Sequence, residues 1–274
     1  MTEAEQAAGT EPAQPTVAGL YDAYLGGTNH TLAEQEAADR LRTAMPEIEA
    51  TAWANRAFHQ RAAHWLAAEA GIGQFIDLGA GLPTQNNTHQ VVQRHNPEAK
   101  VVYVDIDPHT VRLGNELVKD NPRTTYVQSN LIDVDNVLDH PDLRGLIDLS
   151  EPVGILATAV FHCITDKQDP WGVAKRYRDR VASGSYFALS HVTADRQRPA
   201  AVRTILDIYR RADSPAVFRN REQVEWFFEG LEFVPPYEGA APKVNFIGYW
   251  FCEDPAEADD ETSRWVYAGV AKKP

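Results

Sequence analysis

Short apolar segments alternate with helix-forming stretches from residue 73 onward, and this alternation constrains the fold most strongly. The apolar segments predict seven strands, at Phe75–Leu78, Val101–Val104, Thr125–Gln128, Val153–Val160, Ser185–Ser190, Glu232–Val234 and Trp265–Ala271. Helices are expected between most of them, near residues 88–95, 109–119, 134–140, 169–181, 199–212 and 221–229. Apolar strands separated by helices are typical of a parallel sheet covered on both faces. We therefore predict an α/β fold with a doubly wound, Rossmann-like, mostly parallel sheet of seven strands.

The C-terminal end of this pattern differs from the rest. The last two predicted strands are separated by an acidic loop over residues 253–261, and no clear crossover helix precedes the final strand. Antiparallel strands need only a short connection, whereas parallel strands need a crossover of a dozen or more residues. We therefore expect the sheet to end in an antiparallel hairpin.

The N-terminal part of the chain is predicted to be helical. Thr31 is well placed to cap a first helix, and Pro46 separates that helix from a second one over about residues 50–70. Candidate buried positions on the second helix are Trp53, Ala57, Ala63 and Leu66. Residues rich in Ala, Glu, Gln and Pro at the start predict disorder. We divide the chain into a disordered tail (1–14), an N-terminal helical cap (15–72) and a Rossmann-like core (73–274).

Charge and cysteine content limit the classes of partner. Lys and Arg total 26 against 39 Asp and Glu, a net charge of -13, whereas a broad nucleic-acid-binding surface needs clustered positive charge. The chain has no apolar run long enough for a membrane span and no signal-peptide pattern at its start. Cys163 and Cys252 stand far apart, which fits two thiols better than a zinc site. We expect a cytoplasmic protein that acts on a small molecule and binds neither nucleic acid nor membrane.

The segment FIDLGAGLPTQ, residues 75–85, predicts a cofactor loop after the first strand. In a doubly wound sheet, ligands bind beyond the carboxyl ends of the strands, and glycines such as Gly79 and Gly81 let the backbone approach a ligand closely. The second strand ends at Asp105, 24 residues after Gly81, close to the spacing at which an acid reaches ribose hydroxyls. Asp105 could instead cap the next helix, but Asp107, which precedes Pro108, fits that role better.

The loop favours a cationic nucleoside over a dinucleotide. A dinucleotide site requires a third glycine, and Thr84 stands at that position, preceded by Pro83. Asp77 adds negative charge where a diphosphate would approach. S-adenosylmethionine, which has a sulfonium and an ammonium but no phosphate, satisfies these features. Asn130 or Asp133, after the third strand, could accept a hydrogen bond from the adenine amine.

Five stretches of the sequence carry a family resemblance: Tyr21–Asn29 (YDAYLGGTN), Ala54–Phe58 (ANRAF), the loop FIDLGAGLPTQ, Val102–Pro108 (VYVDIDP) and Leu189–Thr193 (LSHVT). Together they resemble class I S-adenosylmethionine-dependent methyltransferases, and more narrowly a bacterial family formerly catalogued as a domain of unknown function. The resemblance runs across about residues 16–272. It implies methyl transfer, with Gly79, Gly81 and Asp105 at the cofactor. This chain has Asn130 where the family usually has Asp, and Asn86 where it usually has Gly.

The N-terminal cap contributes further candidates. Tyr21 could close over the site or face the sulfonium, or it could simply pack in a helix that ends at Gly26. Arg56 could bind the methionine carboxylate or lie on the surface. The full set assigned to the cofactor is Tyr21, Arg56, Asp77, Gly79, Ala80, Gly81, Thr84, Asp105, Ile106, Asn130, Leu131, Ala159 and Phe161. No metal site is predicted.

His162 and His191 follow core strands on the cofactor side, so either could be the general base, although lone histidines are more often structural. The preferred function is transfer of a methyl group from the sulfonium of S-adenosylmethionine to an unidentified small-molecule acceptor. A catalytically silent sensor that binds the same cofactor is the alternative. An NAD-dependent oxidoreductase is a further alternative, disfavoured by Pro83 and Thr84.

Overall fold

A computed structural model describes residues 14–83, 86–212 and 214–274, so Thr84 and almost all of the expected disordered tail lie outside the described residues. The strands are β1 Gln74–Leu78, β2 Lys100–Asp105, β3 Thr124–Gln128, β4 Gly154–Thr158, β5 Tyr186–Val192, β6 Glu232–Phe233, β7 Asn245–Phe246 and β8 Val266–Lys272. The helices are α1 Val17–Tyr24, α2 Leu32–Ala44, α3 Ile48–Ala68, α4 Thr88–Val92, α5 Pro108–Val118, α6 Val134–Leu138, α7 Pro141–Leu146, α8 Pro170–Arg180, α9 Pro199–Tyr209 and α10 Arg221–Glu225. No helix within these ranges is long and apolar enough to cross a membrane.

The strands form one sheet in the order β3-β2-β1-β4-β5-β8-β6, with β7 also paired to β8. Strands β1 to β5 run parallel to one another, and β8 runs antiparallel to β5, β6 and β7. The strand order reverses between β1 and β4, which makes this the switch point of the sheet. The predicted doubly wound α/β fold with an antiparallel C-terminal end is confirmed.

The sheet has eight strands in the described part of the chain, so the prediction of seven was wrong. The additional strand, β7, has two residues, and Asn245 and Phe246 pair with Ala268 and Tyr267 of β8. Two residues cannot display the alternation that identifies a strand in a sequence. Helix α7 was also missed, because the predicted helix near residues 134–140 ended before Pro141, which opens α7 shortly after α6.

Of the three cap helices, α3 packs against the sheet, and α1 and α2 pack against α3 and against each other. Thr31 caps α2 as predicted, since its side chain accepts from the Glu34 backbone N–H while the Glu34 carboxylate accepts from the Thr31 N–H. Helix α3 buries Phe58 and Leu66 and contacts β4, β5 and β8. Trp53 was expected to be buried and is 49% exposed. At 3.6 residues per turn, it lies on the side of α3 opposite the buried residues.

Helix α1 ends in the way that its glycines predict. Gly26 has φ +70, a left-handed conformation that glycine adopts without a steric penalty. Its N–H donates to Ala23 O, and the Gly27 N–H donates to Asp22 O, which is the Schellman pattern of helix termination. This ending turns the chain toward α2 and leaves Tyr21 over the ends of the sheet strands.

Candidate functional site

A cavity of about 390 Å³ lies at the carboxyl ends of β1, β2 and β4, beneath the cap helices. Its position is the switch point of the sheet, where doubly wound folds bind their ligands, and its volume is typical of small-molecule sites. Among the residues that line it are Tyr21, Arg56, Asp77, Gly79, Ala80, Gly81, Asp105, Ile106, Asn130, Leu131, Ala159 and His162. The structure therefore brings most of the predicted site residues together.

Two glycines shape the loop after β1. Gly79 and Gly81 both have φ +67, which side chains rarely adopt. A Cβ atom on Gly79 would also lie 2.2 Å from a Val160 methyl carbon, whereas one on Gly81 would meet nothing within 4 Å. The Gly79 N–H donates to Val104 O at 2.8 Å, which fixes the loop to β2. The loop thus brings backbone to the cavity wall with no side chain in the way.

Asp107 has the capping role that the sequence predicts, and Asp105 lines the cavity. Asp107 caps α5, accepting from the N–H groups of His109 and Thr110. Asp105 lies at the end of β2, where Oδ2 accepts from the Gly81 N–H at 2.8 Å and Oδ1 accepts from the Asp107 N–H at 3.0 Å. A carboxylate has about four lone-pair sites, so both oxygens retain capacity to accept from a diol. Burial raises the pKa of Asp105.

Asp77 ends a hydrogen-bonded chain that begins on β4. The Thr88 hydroxyl donates to Asp77 Oδ2 at 2.6 Å, so its oxygen accepts from His59 Nε2 at 2.7 Å. His59 Nδ1 then accepts from the Thr158 hydroxyl at 2.9 Å. Burial lowers the pKa of His59 to about 3 and raises that of Asp77 to about 6, so at pH 7 His59 is neutral and Asp77 is ionised. The 3.6 Å approach of His59 Nε2 to Asp77 Oδ2 is therefore not an ion pair.

His59 was missed in the sequence, although a signal for it was present. It lies three residues after Arg56 and four after Asn55, and helical residues at that spacing share a face. Arg56 itself lines the cavity and donates from Nη2 to Asn86 O and to Asn87 Oδ1, at 3.2 and 3.1 Å. This face of α3 therefore joins the cavity to the residues that follow the glycine loop.

A second buried chain connects the cap with the turn after β4. Ala159 has φ +52, an uncommon conformation for a residue with a side chain, and its N–H donates to Ser190 Oγ at 2.9 Å. The Ser190 hydroxyl donates to Asn55 Oδ1, and Asn55 Nδ2 donates to the Tyr21 hydroxyl at 2.9 Å. The Tyr21 hydroxyl donates in turn to Ala52 O. These bonds hold Tyr21 and the strained Ala159 turn in fixed positions at the cavity wall.

His162 lines the cavity and is 5% exposed, and its Nδ1 atom has no hydrogen-bond partner among the described residues. Burial, together with the positive charge of Arg219, lowers the pKa of His162 to about 4. The ring is therefore neutral at pH 7.

Two predicted site residues lie outside the cavity. Phe161 is fully buried, with its ring 5.2 Å from that of Phe227. His191 is fully buried as well; Nδ1 donates to Val192 O at 2.8 Å and Nε2 accepts from Arg219 Nη1 at 2.7 Å. Both nitrogens of His191 are thus engaged, which is the structural role that lone histidines commonly have.

Arg219 organises the loop that carries His162, and nothing in the sequence pattern singled it out. Its guanidinium donates to the backbone oxygens of Phe161 and Ile164, at 3.2 and 2.8 Å, and to His191. It also pairs with Asp166 at 2.7 Å. The residue is 1% exposed, although it lies in a connecting segment after α9.

The charges around the cavity favour a cationic ligand. Of the described residues that line it, four are aspartates (Asp22, Asp77, Asp105 and Asp107) and one is an arginine, Arg56. A wall of this sign attracts a sulfonium and an ammonium and repels a diphosphate. Among the described residues, no group of three or more His, Cys, Asp or Glu side chains could hold a metal ion.

Comparison with known proteins places the chain among methyltransferases. The family model for S-adenosyl methyltransferases matches residues 3–274. A DUF574 family protein from Streptomyces avermitilis MA-4680 is 36% identical, with a TM-score of 0.88 over 95% of this chain and 98% of that one. A candidate methyltransferase from Thermobifida fusca YX is 35% identical, with a TM-score of 0.86 over 95% of each chain. No curated protein matches the chain significantly.

A more distant structure shares the fold alone. An O-methyltransferase family protein from Burkholderia thailandensis is 12% identical, with a TM-score of 0.51 over 83% of this chain and 58% of that one.

Proposed function

The chain belongs to the S-adenosyl methyltransferase family, and on that premise we propose that it transfers the methyl group of S-adenosylmethionine to a small-molecule acceptor within the 390 Å³ cavity. The observation that carries this proposal is the set of four aspartates and one arginine around a cavity at the switch point of the sheet. When bound, S-adenosylmethionine supplies a methyl group activated by the sulfonium charge.

Each part of the cofactor has a matching group in the wall. Asp105 can accept from the ribose hydroxyls with its remaining lone pairs. Asp77 can pair with the ammonium, and Arg56 with the carboxylate, of the methionine part. Asn130 Oδ1 accepts from the Ile132 N–H at 3.0 Å and has a second lone pair for the adenine amine. The residues present therefore fit this cofactor.

His162 supplies the group that an acceptor with an acidic proton would need. It is neutral at pH 7 and lies on the cavity wall, three residues after the strained Ala159 turn. A neutral imidazole accepts a proton while the acceptor attacks, and such general-base catalysis commonly contributes about 10²- to 10⁴-fold to the rate. The rest of the rate enhancement comes from holding the methyl donor and the acceptor together in the cavity.

Replacing Asp105 by alanine is expected to weaken binding of S-adenosylmethionine by about 1.5–3 kcal/mol, because hydrogen bonds to a charged group are lost. Isothermal titration calorimetry measures the change. Asp120→Ala is the matched control, since it removes an exposed carboxylate that does not line the cavity. This variant should bind S-adenosylmethionine with the affinity of the wild type. Unchanged affinity in a folded Asp105→Ala protein would reassign Asp105 to a structural role.

Cofactor affinity is expected to rise with pH between 5 and 7. Burial raises the pKa of Asp77 to about 6, and the ammonium of the cofactor prefers the ionised carboxylate. Below that pH, binding must displace a proton, so affinity falls by up to about tenfold per pH unit. Calorimetry in buffers of different ionisation enthalpy should detect proton release near pH 6. Asp77→Asn should flatten the profile, and a flat profile in the wild type would contradict the assignment of Asp77.

Turnover itself separates an enzyme from a sensor. Protein incubated with methyl-labelled S-adenosylmethionine and a panel of hydroxyl, amine and thiol acceptors should release labelled product together with S-adenosylhomocysteine. Tight cofactor binding with no acceptor labelled would favour the sensor.

A further inference from the structure

Thr88 links two helices to the carboxylate that we assign to the cofactor ammonium. It is the first residue of α4 and is 1% exposed, and its hydroxyl donates to Asp77 Oδ2 at 2.6 Å. Asn87 is the N-cap residue of α4, so capping of that helix does not require the Thr88 hydroxyl. The hydroxyl of Thr88 therefore serves Asp77 and not its own helix.

His59 fixes the direction in which the Thr88 hydroxyl donates. An ionised carboxylate only accepts, so the proton between Thr88 and Asp77 belongs to Thr88, and His59 Nε2 donates to the Thr88 oxygen at 2.7 Å. The other tautomer of His59 would draw the Thr88 proton away and leave two acceptor oxygens 2.6 Å apart. The Thr158 hydroxyl favours the first tautomer, because it can donate to His59 Nδ1 at 2.9 Å.

The charged groups around Asp77 oppose one another. Burial raises the pKa of Asp77, the hydrogen bond from Thr88 and the positive charge of Arg56 on α3 lower it, and the negative charge of Asp105 on β2 raises it. A buried carboxylate that loses a hydrogen bond to its charged form becomes easier to protonate. The Thr88 hydroxyl is thus one of two groups that keep Asp77 ionised.

The remaining titratable groups near Asp77 do not replace Thr88. Burial raises the pKa of Tyr103 on β2 and of Tyr126 on β3, so both hydroxyls stay neutral. His89 of α4 is bonded to the Tyr103 hydroxyl at 2.8 Å, and β4 has no titratable side chain. Among the described residues, Thr88 alone donates a hydrogen bond to the Asp77 carboxylate.

We propose that Thr88 is a positioning residue for the cofactor: it keeps Asp77 ionised and holds Oδ2, which leaves Oδ1 for the ammonium of S-adenosylmethionine. This assignment rests on the proposed function. Asp77 lines the cavity, and its Oδ1 accepts from no described residue. His59 stands behind Thr88 and orients its hydroxyl, so the pair acts on the cofactor only through Asp77.

Carbon-13 NMR of the Asp77 carboxyl group tests the effect on protein without cofactor, with Asp77→Asn to identify the resonance. The wild-type carboxyl group should titrate near pH 6. Thr88→Val replaces the hydroxyl by a methyl group, and we expect the midpoint to rise by about one pH unit or more. Thr88→Ser retains a hydroxyl and should restore the wild-type midpoint. An unchanged midpoint in folded Thr88→Val would overturn the proposal.

Calorimetry with S-adenosylmethionine tests the consequence for binding. Because the ammonium requires the ionised carboxylate, Thr88→Val should bind about fivefold more weakly than the wild type at pH 6 and nearly equally by about pH 8. Thr124→Val is the matched control, since Thr124 is also buried and hydrogen-bonded, to Gln93, but does not line the cavity. Its pH profile should be that of the wild type.

Two results at the calorimeter have different meanings. A loss of affinity in Thr88→Val that is the same at every pH would show a structural role and overturn the proposal. Failure of the wild type to bind S-adenosylmethionine would count against the proposed function instead, while the NMR midpoint would still decide whether Thr88 holds Asp77 ionised.

Discussion

Replacing Arg219 by methionine is expected to lower the free energy of unfolding by about 3 kcal/mol or more, since three buried acceptors lose their donor. The acceptors are the backbone oxygens of Phe161 and Ile164 and the Nε2 atom of His191. The guanidinium also lies 5.1 Å from the centre of the Trp171 ring, and that cation–π contact is lost as well. Methionine retains an apolar side chain of similar length, so the loss of stability reflects the missing polar contacts.

Urea denaturation measures this effect, and Arg221→Met is its control. Arg221 is only half-buried and lies 5.2 Å from the Tyr267 ring, so its replacement should cost no more than about 1 kcal/mol. If Arg219→Met loses no more stability than Arg221→Met, the network around His191 does not stabilise the fold as described.

Replacing His162 by glutamine is expected to lower kcat by about 10²- to 10⁴-fold, the usual contribution of a general base. Affinity for S-adenosylmethionine should stay nearly constant, because the role proposed for His162 is toward the acceptor and not toward the cofactor. In the wild type, the neutral ring is the active form, and burial together with Arg219 lowers the pKa of His162 to about 4. Activity should therefore be level at neutral pH and fall as the pH drops through about 4.

Steady-state kinetics on an acceptor identified by labelled turnover test this prediction, with His64→Gln as the control. His64 is exposed on α3 and lies outside the cavity, so kcat should be that of the wild type. Full turnover by His162→Gln would eliminate His162 as the base.

The parts of the site that the sequence predicts are those with local signals. Gly79 and Gly81 follow an apolar strand, and the capping role of Asp107 follows from Pro108. The same is true of Thr31, whose cap is defined by Glu34 three residues later. In each case the partners are close in the chain, so that spacing alone identifies them.

The parts that were missed depend on contacts between distant residues. Ser190 and Asn55 are 135 residues apart, and Arg219 and Phe161 are 58 apart, although both pairs are hydrogen-bonded. No periodicity links such pairs, because they meet only when the sheet and cap assemble. His191 is the opposite case, a residue that the sequence pattern singled out as a candidate base. In the structure, both of its ring nitrogens are hydrogen-bonded, one to Arg219 and the other to the Val192 oxygen.

Calorimetry with S-adenosylmethionine, S-adenosylhomocysteine and NAD tests the central claim most directly, that the cavity at the end of β1 is built for a cationic nucleoside. We predict that the first two ligands bind with one-to-one stoichiometry and that NAD, with its diphosphate, does not bind beside four aspartates. Binding of NAD without binding of S-adenosylmethionine or S-adenosylhomocysteine would contradict the account.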